Sequence, residues 1–260
     1  MKVVVCVKQV PVTTGERRYR PDFRLDRDAT ERVVNPLDEY AIEVALQLQE
    51  SGAAETVSYL SMGPEEAADA LRRALAMGGD DAVLVTDPAL PGADEWVTAR
   101  VLSAALDKLA PDLTLTGMAS DDARGSLVPG AIAAMRKLPL LSYASELSVA
   151  DGAVRIRRLS PTGYDVLEAP MPAVASVTDQ VGEPRYASLK GMMGAKRKPL
   201  ESWSLADIGL SGDDLRGGAL TRVIDARPPE AKPPAERIEG VGADDAAAKL
   251  ADWLGARRLI

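Results

Sequence analysis

Three loops of this 260-residue chain gather residue types that can hold a charged ligand. The longest, Gly117-Met118-Ala119-Ser120-Asp121-Asp122-Ala123-Arg124-Gly125-Ser126, stands between a β-rich run and a helical pattern. A helix opened by such a loop offers free N–H groups and the positive end of its dipole, which suits a phosphate. Gly125 permits close backbone approach, the Ser126 hydroxyl can bond a phosphate oxygen, and Arg124 adds charge. Asp121 and Asp122 would repel a phosphate, so they are read as facing sugar hydroxyls or capping the helix. The loop reads equally as a capped turn, and residue types alone leave both readings open. The other two loops are Lys8-Gln9-Val10 and Ser61-Met62-Gly63-Pro64. The spacings GxGxxG and GxxxxGK do not occur, so the usual dinucleotide and nucleoside-triphosphate fingerprints are missing.

Composition removes whole classes of chemistry. The chain has no histidine, which excludes His-based triads and imidazole acid–base catalysis. Its single cysteine, Cys6, forms no intrachain disulfide and lies in an apolar run, where it reads as a small buried hydrophobe. No metal site and no catalytic residue are expected. With 31 basic against 39 acidic residues the net charge is −8, which argues against a general grip on nucleic acid. The first strand begins almost at Met1, leaving no room for a secretory or transit segment, and no apolar run approaches the ~20 residues of a membrane span. A cytoplasmic protein without membrane insertion is expected.

The elements that must position those loops alternate. Val3–Val7 reads as a strand buried on both faces. A polar stretch over 13–32 follows. Asn35-Pro36-Leu37-Asp38 then starts a helix, with Asn35 as cap, Pro36 as the first helical residue and Asp38 in the positive first turn. Leu37, Ala41, Ala45 and Leu48 keep helical spacing to Gly52. Strands are predicted over Thr56–Ser61, Asp81–Thr86 and Asp112–Thr116, with helices from Gly63-Pro64 through Met77, over Asp94–Ala110 and over Ser126–Lys137. This order implies βαβ units and a parallel, doubly wound α/β sheet. Beyond residue 138, Leu140–Val149 and Val154–Leu159 flank Asp151-Gly152, a hairpin turn signal. Tyr164–Glu168 and Ala173–Thr178 complete an antiparallel excursion. Asp179–Pro199 shows no clear periodicity. Residues 211–234 are rich in Gly, Asp, Pro and Arg, and a final helix near Asp244–Ala256 carries Leu250, Trp253 and Leu254. The expected division is an α/β domain over 1–205, with a recognition loop at about 179–199, and an extended C-terminal arm over 206–260.

The string Gly182-Glu183-Pro184-Arg185-Tyr186-Ala187-Ser188-Leu189-Lys190-Gly191-Met192-Met193-Gly194-Ala195-Lys196-Arg197-Lys198 closely resembles the signature of electron transfer flavoprotein beta subunits. So do the opening Val4-Val5-Cys6-Val7-Lys8-Gln9-Val10-Pro11, Asn35-Pro36, Ala74-Leu75-Ala76-Met77-Gly78 and the closing Trp253–Ile260, all in order along the chain. The resemblance implies two similar α/β domains, one from an alpha and one from a beta subunit, beneath an FAD-binding domain of the alpha subunit. The beta subunit would bury AMP, and its arm would dock on the alpha subunit. Matching AMP-site positions are Cys6, Asn35, Met62, Gly117, Ala119, Ser120, Asp122, Arg124, Gly125, Ser126, Leu127 and Val128. Glu183, Pro184, Arg185, Tyr186, Leu189, Met192 and Met193 match the partner-recognition segment, with Leu189 as its anchor in an exposed loop. The implied role is an electron carrier that takes electrons from dehydrogenases, such as the acyl-CoA dehydrogenases of fatty acid β-oxidation, into FAD and on to a quinone oxidoreductase. A bifurcating complex with a second FAD in the AMP pocket, and a free-standing adenine-nucleotide sensor, are the alternatives. Gly125-Ser126-Leu127 replaces the Gln and Thr of the commoner phosphate loop, which resembles a glycine-rich subgroup with backbone phosphate contacts. Leu159, after Arg158, stands where relatives usually have an acidic residue.

Overall fold

The computed structural model describes residues 1–12, 18–215, 219–227, 230 and 232–260. The chain forms two compact units, Met1–Ile224 and Asp225–Ile260. In the first unit β1 (Lys2–Cys6) leads into a small antiparallel pair, β2 (Gln9–Pro11) and β3 (Arg32–Val34). Then follow α1 (Pro36–Glu50), β4 (Thr56–Met62), α2 (Ala68–Met77), β5 (Asp81–Val85), α3 (Glu95–Leu109), β6 (Leu113–Gly117) and α4 (Val128–Arg136). A meander of β7 (Leu140–Ala150), β8 (Ala153–Ser160) and β9 (Gly163–Pro170) precedes β10 (Ala173–Val177), α5 (Leu189–Ala195), β11 (Leu200–Trp203) and α6 (Gly212–Leu215).

The main sheet has the order β11-β5-β4-β1-β6-β10-β7-β8-β9. Pairing is parallel from β11 to β7 and antiparallel through β8 and β9. Period-2 alternation divides β1 between two cores: Val3 and Val5 join α1 and α2, while Val4 joins α3 and α4. The sheet is therefore covered on both faces, the doubly wound α/β architecture with its antiparallel excursion. The Asp151-Gly152 turn has φ of 50° and 76°, the left-handed pair that suits a two-residue hairpin between twisted strands. From β1 the chain winds one way to β4 and β5 and the other way to β6 and β10, so the switch point lies between β1 and β6.

Four local expectations are corrected. Residues 9–11 and 32–34 pair as strands at the two ends of the polar stretch; three residues each are too few for a pattern to show. The helix expected from Ser126 starts at Val128, because Ser126 has φ of 56° and cannot be helical. Residues 179–199 are ordered: a 3-10 turn at Asp179–Val181 and then α5, so Leu189 opens a helix instead of sitting in a loop. Gly191 and Gly194 lower the helix propensity of this short segment, and the Ser188 cap, whose Oγ accepts from Gly191 N at 3.0 Å, restores it. Leu200–Trp203 forms an edge strand with only intermediate and exposed positions, so no buried run announced it.

In the second unit α7 (Ala243–Ala256) matches the expected final helix. None of its described residues is buried. Trp253 Nε1 donates to Glu236 at 2.7 Å and Arg257 stacks 3.9 Å over the indole ring. The arm's expected course near Arg216 and the Pro228-Pro229 pair lie outside the described residues.

Candidate functional site

The switch point puts the carboxyl ends of β1 and β6 side by side, and α1 begins over both. Asn35 precedes α1 but does not cap it with its side chain. Its buried amide reaches across the crevice: Nδ2 donates to Ala119 O at 2.8 Å, and Oδ1 accepts from Asp121 N at 3.0 Å. One side chain therefore fixes the 117–124 loop at two backbone atoms, a role its cap-like position did not advertise. Gly117 is required for this approach, because a Cβ there would stand 2.5 Å from Leu37 O and 2.6 Å from Asp38 Oδ1.

Asp38 lies on the buried stripe of α1 and accepts from Lys8 N at 2.8 Å. Burial pushes its carboxyl up to about 7, against hydrogen bonds from Lys8, Asn35 and Gly117. Asp122, the next acid along, behaves oppositely. Burial alone would raise it, but Lys8 and Arg27 hold it at about 2. Lys8 Nζ lies 2.9 Å from Asp122 Oδ1 and donates to Ser120 Oγ at 3.2 Å, while Arg27 Nη2 lies 2.5 Å from Asp122 Oδ2. Asp122 thus anchors the loop on the 18–31 excursion and does not cap α4. Asp121 accepts from exposed Arg124 at 2.7 Å. Burial pushes the Cys6 thiol up to about 12, which keeps it the inert hydrophobe expected.

Past Asp122 the backbone turns: Arg124 and Ser126 have φ of 52° and 56°, and Leu127 at −86° returns to the right-handed region. Alternating left- and right-handed residues can aim successive N–H groups into one concavity, as in anion nests, while the Arg124 N–H itself bonds Ser120 O at 2.8 Å. The N-terminus of α4 has no side-chain cap, which leaves its amides for a ligand. Gly125 has no side chain to block that concavity, although the Glu95 carboxylate lies where its Cβ would be. Leu127 and Val128 complete the turn, and Val128, Met62 and Cys6 pack against the α3–α4 core. The sequence reading missed Asp38, Arg27 and Glu95. Helical spacing with Ala41, Ile42 and Ala45 placed Asp38 on the inward face, a readable signal. For Arg27 and Glu95 no local pattern existed, since loops distant in sequence deliver them.

The 183–193 segment is built differently. Arg185 turns inward: its guanidinium bonds Glu43 at 2.7 and 2.9 Å and also pairs with Glu50. Those bonds lower the Glu43 carboxyl below its usual range. Gly191 rests on α2, where a Cβ would overlap Ala76 O. Arg72 of α2 donates to Ala195 O and Lys198 O, both at 2.7 Å, and Lys198 Nζ returns bonds to Leu75 O and Gly78 O at 2.9 and 3.1 Å. Each helix end is thus closed by a cation from the other element. On that mount Tyr186, Leu189, Met192 and Met193 are 97, 77, 46 and 70% exposed. Glu183 is also exposed and Pro184 half-buried.

Fold and site together define a doubly wound α/β domain with a buried polar network at its switch point and a rigidly mounted helix that exposes apolar side chains. The description "Electron transfer flavoprotein domain" covers the family match over residues 22–208. The electron transfer flavoprotein subunit beta of Mycobacterium leprae is 37% identical, with 99% of each chain aligned. A caffeyl-CoA reductase-Etf complex subunit of Acetobacterium woodii is 32% identical over the whole of both chains, and the electron transfer flavoprotein subunit beta of Megasphaera elsdenii is 34% identical over 83% of this chain and 85% of its own. The chain belongs to the electron transfer flavoprotein family, as a beta subunit. Among the described residues no helix is long and apolar enough to cross a membrane.

Proposed function

We propose that this beta subunit pairs with an alpha subunit that holds FAD, and that the heterodimer carries electrons from acyl-CoA and other dehydrogenases towards a quinone oxidoreductase in the cytoplasm. The observation that carries this reading is the α5 mount: Leu189, Met192 and Met193 stand in solvent on a helix that Arg185, Gly191, Arg72 and Lys198 fix in place, with exposed Tyr186 just before it. A monomer gains nothing from exposing them, whereas a docking surface needs them. In the crevice, AMP would sit between Asn35, Gly117 and the 119–128 loop. Backbone amides near Gly125 and Ser126 would take its phosphate, and Glu95 would swing aside on its flexible stem. Of the expected arm, the second unit, Asp225–Ile260, would cover the alpha subunit, which supplies the cover that its unburied residues lack. Nothing in this chain need react; it holds, orients and docks.

A second reading has one specific support, the relative named for a caffeyl-CoA reductase-Etf complex. In that version a second FAD would replace AMP. Co-expression with its alpha subunit, followed by heat release and identification of bound nucleotides, tests both. One FAD and one AMP per heterodimer is the expected result, with reduction of the flavin by an acyl-CoA dehydrogenase. Two FAD per heterodimer would favour the second reading, and a nucleotide-free, active heterodimer would overturn the AMP assignment.

A further inference from the structure

Beside α5 the surface opens into a groove of about 550 Å³ between β3, α2 and α5. Arg32, Arg72, Arg73 and Lys196 line it, with Asp69 the only carboxylate among the described residues of its wall. In a chain of net charge −8 this is a local reversal of sign. Its cations differ in freedom. Arg72 is fixed by the carbonyls of Ala195 and Lys198. Arg73 stands 3.7 Å from Glu31, and Arg32 stands 3.2 Å from Asp28, both partners largely exposed. Such pairs are weak and screened, so an incoming carboxylate can exchange for either acid. Met192 belongs to the groove wall and to the exposed apolar face of α5 at once. The basic groove and the apolar face are therefore one continuous surface, an apolar centre with a cationic flank.

We propose that this groove receives a carboxylate-rich polypeptide segment of the electron-donating dehydrogenase, alongside the pocket that takes Leu189. The proposal rests on the docking reading of α5 and adds the chemistry of the partner. A polypeptide fits better than a small anion for two reasons. The groove's cations stand on three separate segments, β3, α2 and the turn after α5, and the groove runs on from an apolar surface too broad for a small ligand. Charge at such a flank acts mainly on the rate of encounter and on its salt dependence.

The test uses the purified heterodimer and an acyl-CoA dehydrogenase from the same source, with kcat/KM for flavin reduction followed from low to high ionic strength. Wild type should slow as salt rises, because the Debye length shrinks from about 10 Å at 0.1 M to about 3 Å at 1 M. Arg73→Glu combined with Lys196→Glu should lower kcat/KM by roughly tenfold at low salt and converge on wild type at high salt. Arg73→Lys should behave as wild type. Hexaglutamate should inhibit wild type and not the double variant, and inorganic phosphate at equal ionic strength should not match it. An unchanged salt slope in the double variant, with Leu189→Ala still impaired, overturns the groove and leaves the docking reading standing. If Leu189→Ala is also unimpaired, the docking reading fails and the groove proposal with it. Phosphate inhibition stronger than that of hexaglutamate would mark a small-anion site and overturn the polypeptide assignment. Unchanged melting and FAD content in each variant ensure that the comparison concerns docking.

Discussion

The switch-point loops and the α5 segment lie off the same sheet, yet they invert each other. Around Asn35 the polar acceptors are inside: a buried amide and two buried carboxylates, reached by the half-exposed Lys8 and Arg27 side chains, hold one loop in place. On α5 the apolar atoms are outside, and the polar bonds lie behind the helix where they fix it to α1 and α2. The first keeps its hydrogen bonds under cover, where low dielectric strengthens them and makes a missing partner costly, as the proposed ligand site would need. The second keeps its apolar groups uncovered and places its stability elsewhere, as the proposed docking surface would need. Damage at the first should appear as lost stability, and damage on the face of the second as lost coupling alone.

The largest effect on stability is expected from Asp38. Its folded-state value of about 7 stands above the ordinary carboxylate 3.8, so the folded chain binds the extra proton between those limits. The associated stability is complete below about pH 4 and is lost as pH rises to about 7, on the order of 4 kcal/mol. Asp38→Asn removes the titration, and the stability difference from wild type, read by urea unfolding, should shift across that interval. A difference independent of pH would refute this. Asp122 has the reverse sign: held at about 2, it stabilises above pH 4 and loses that contribution as pH falls towards 2. Next comes Asn35→Ala, which strands Ala119 O and Asp121 N. At about 1–3 kcal/mol for each unpaired buried group, and with both groups only part-buried, a loss towards the lower end, roughly 2–4 kcal/mol, is expected, together with any nucleotide held there. An intact melting curve and full nucleotide content would break the contrast between the two regions.

Legibility divides along the same line. The alternation of strands and helices, the Asp151-Gly152 hairpin and the final helix were readable because each is encoded by neighbours in sequence: period-2 runs, helical spacing, turn residues. Edge strand β11 and helix α5 were not, for their stability comes from tertiary partners: β5 beside the one, α2 under the other. At the switch point, the 117–126 loop with Gly125 was readable from residue types, Asn35 as a site residue from motif resemblance, and Asp38 could have been found from helix phase. The Lys8–Asp122–Arg27 triad joins three loops, and no pattern within any one of them signals the charges of the others.

The mount of α5 supplies a smaller stability effect. Arg185→Ala leaves buried Glu43 without its guanidinium, yet about a third of the Arg185 side chain is open to water. Solvent screening reduces the loss below that of a fully buried pair, to about 1–3 kcal/mol. Because the pair lowers the Glu43 carboxyl, its contribution is present at neutral pH and fades as pH falls through the acid range. Arg185→Lys should recover charge without the bidentate geometry and restore only part. Equal stability of both variants and wild type would mean that Glu43 does not anchor the segment.

Leu189→Ala should cost the least stability and discriminate most. Leu189 is 77% exposed at the first position of α5, so truncation opens no cavity and removes little buried area, and the melting temperature should stay within about 0.5 kcal/mol of wild type in free-energy terms. Alanine favours helix at least as well as leucine, so α5 itself persists. What is lost is the side chain offered to a partner. Seating a leucine in an apolar pocket is worth roughly 1.5–3 kcal/mol, which corresponds to about 10- to 150-fold in affinity. Electron transfer from a dehydrogenase should fall by that factor, while FAD content and heterodimer assembly hold. The switch-point variants predict the opposite pattern, reduced stability with the docking face intact. Measuring melting and dehydrogenase-coupled flavin reduction on Asn35→Ala and Leu189→Ala side by side therefore crosses the two regions. If Leu189→Ala melts early and couples normally, α5 is part of the core and the contrast collapses.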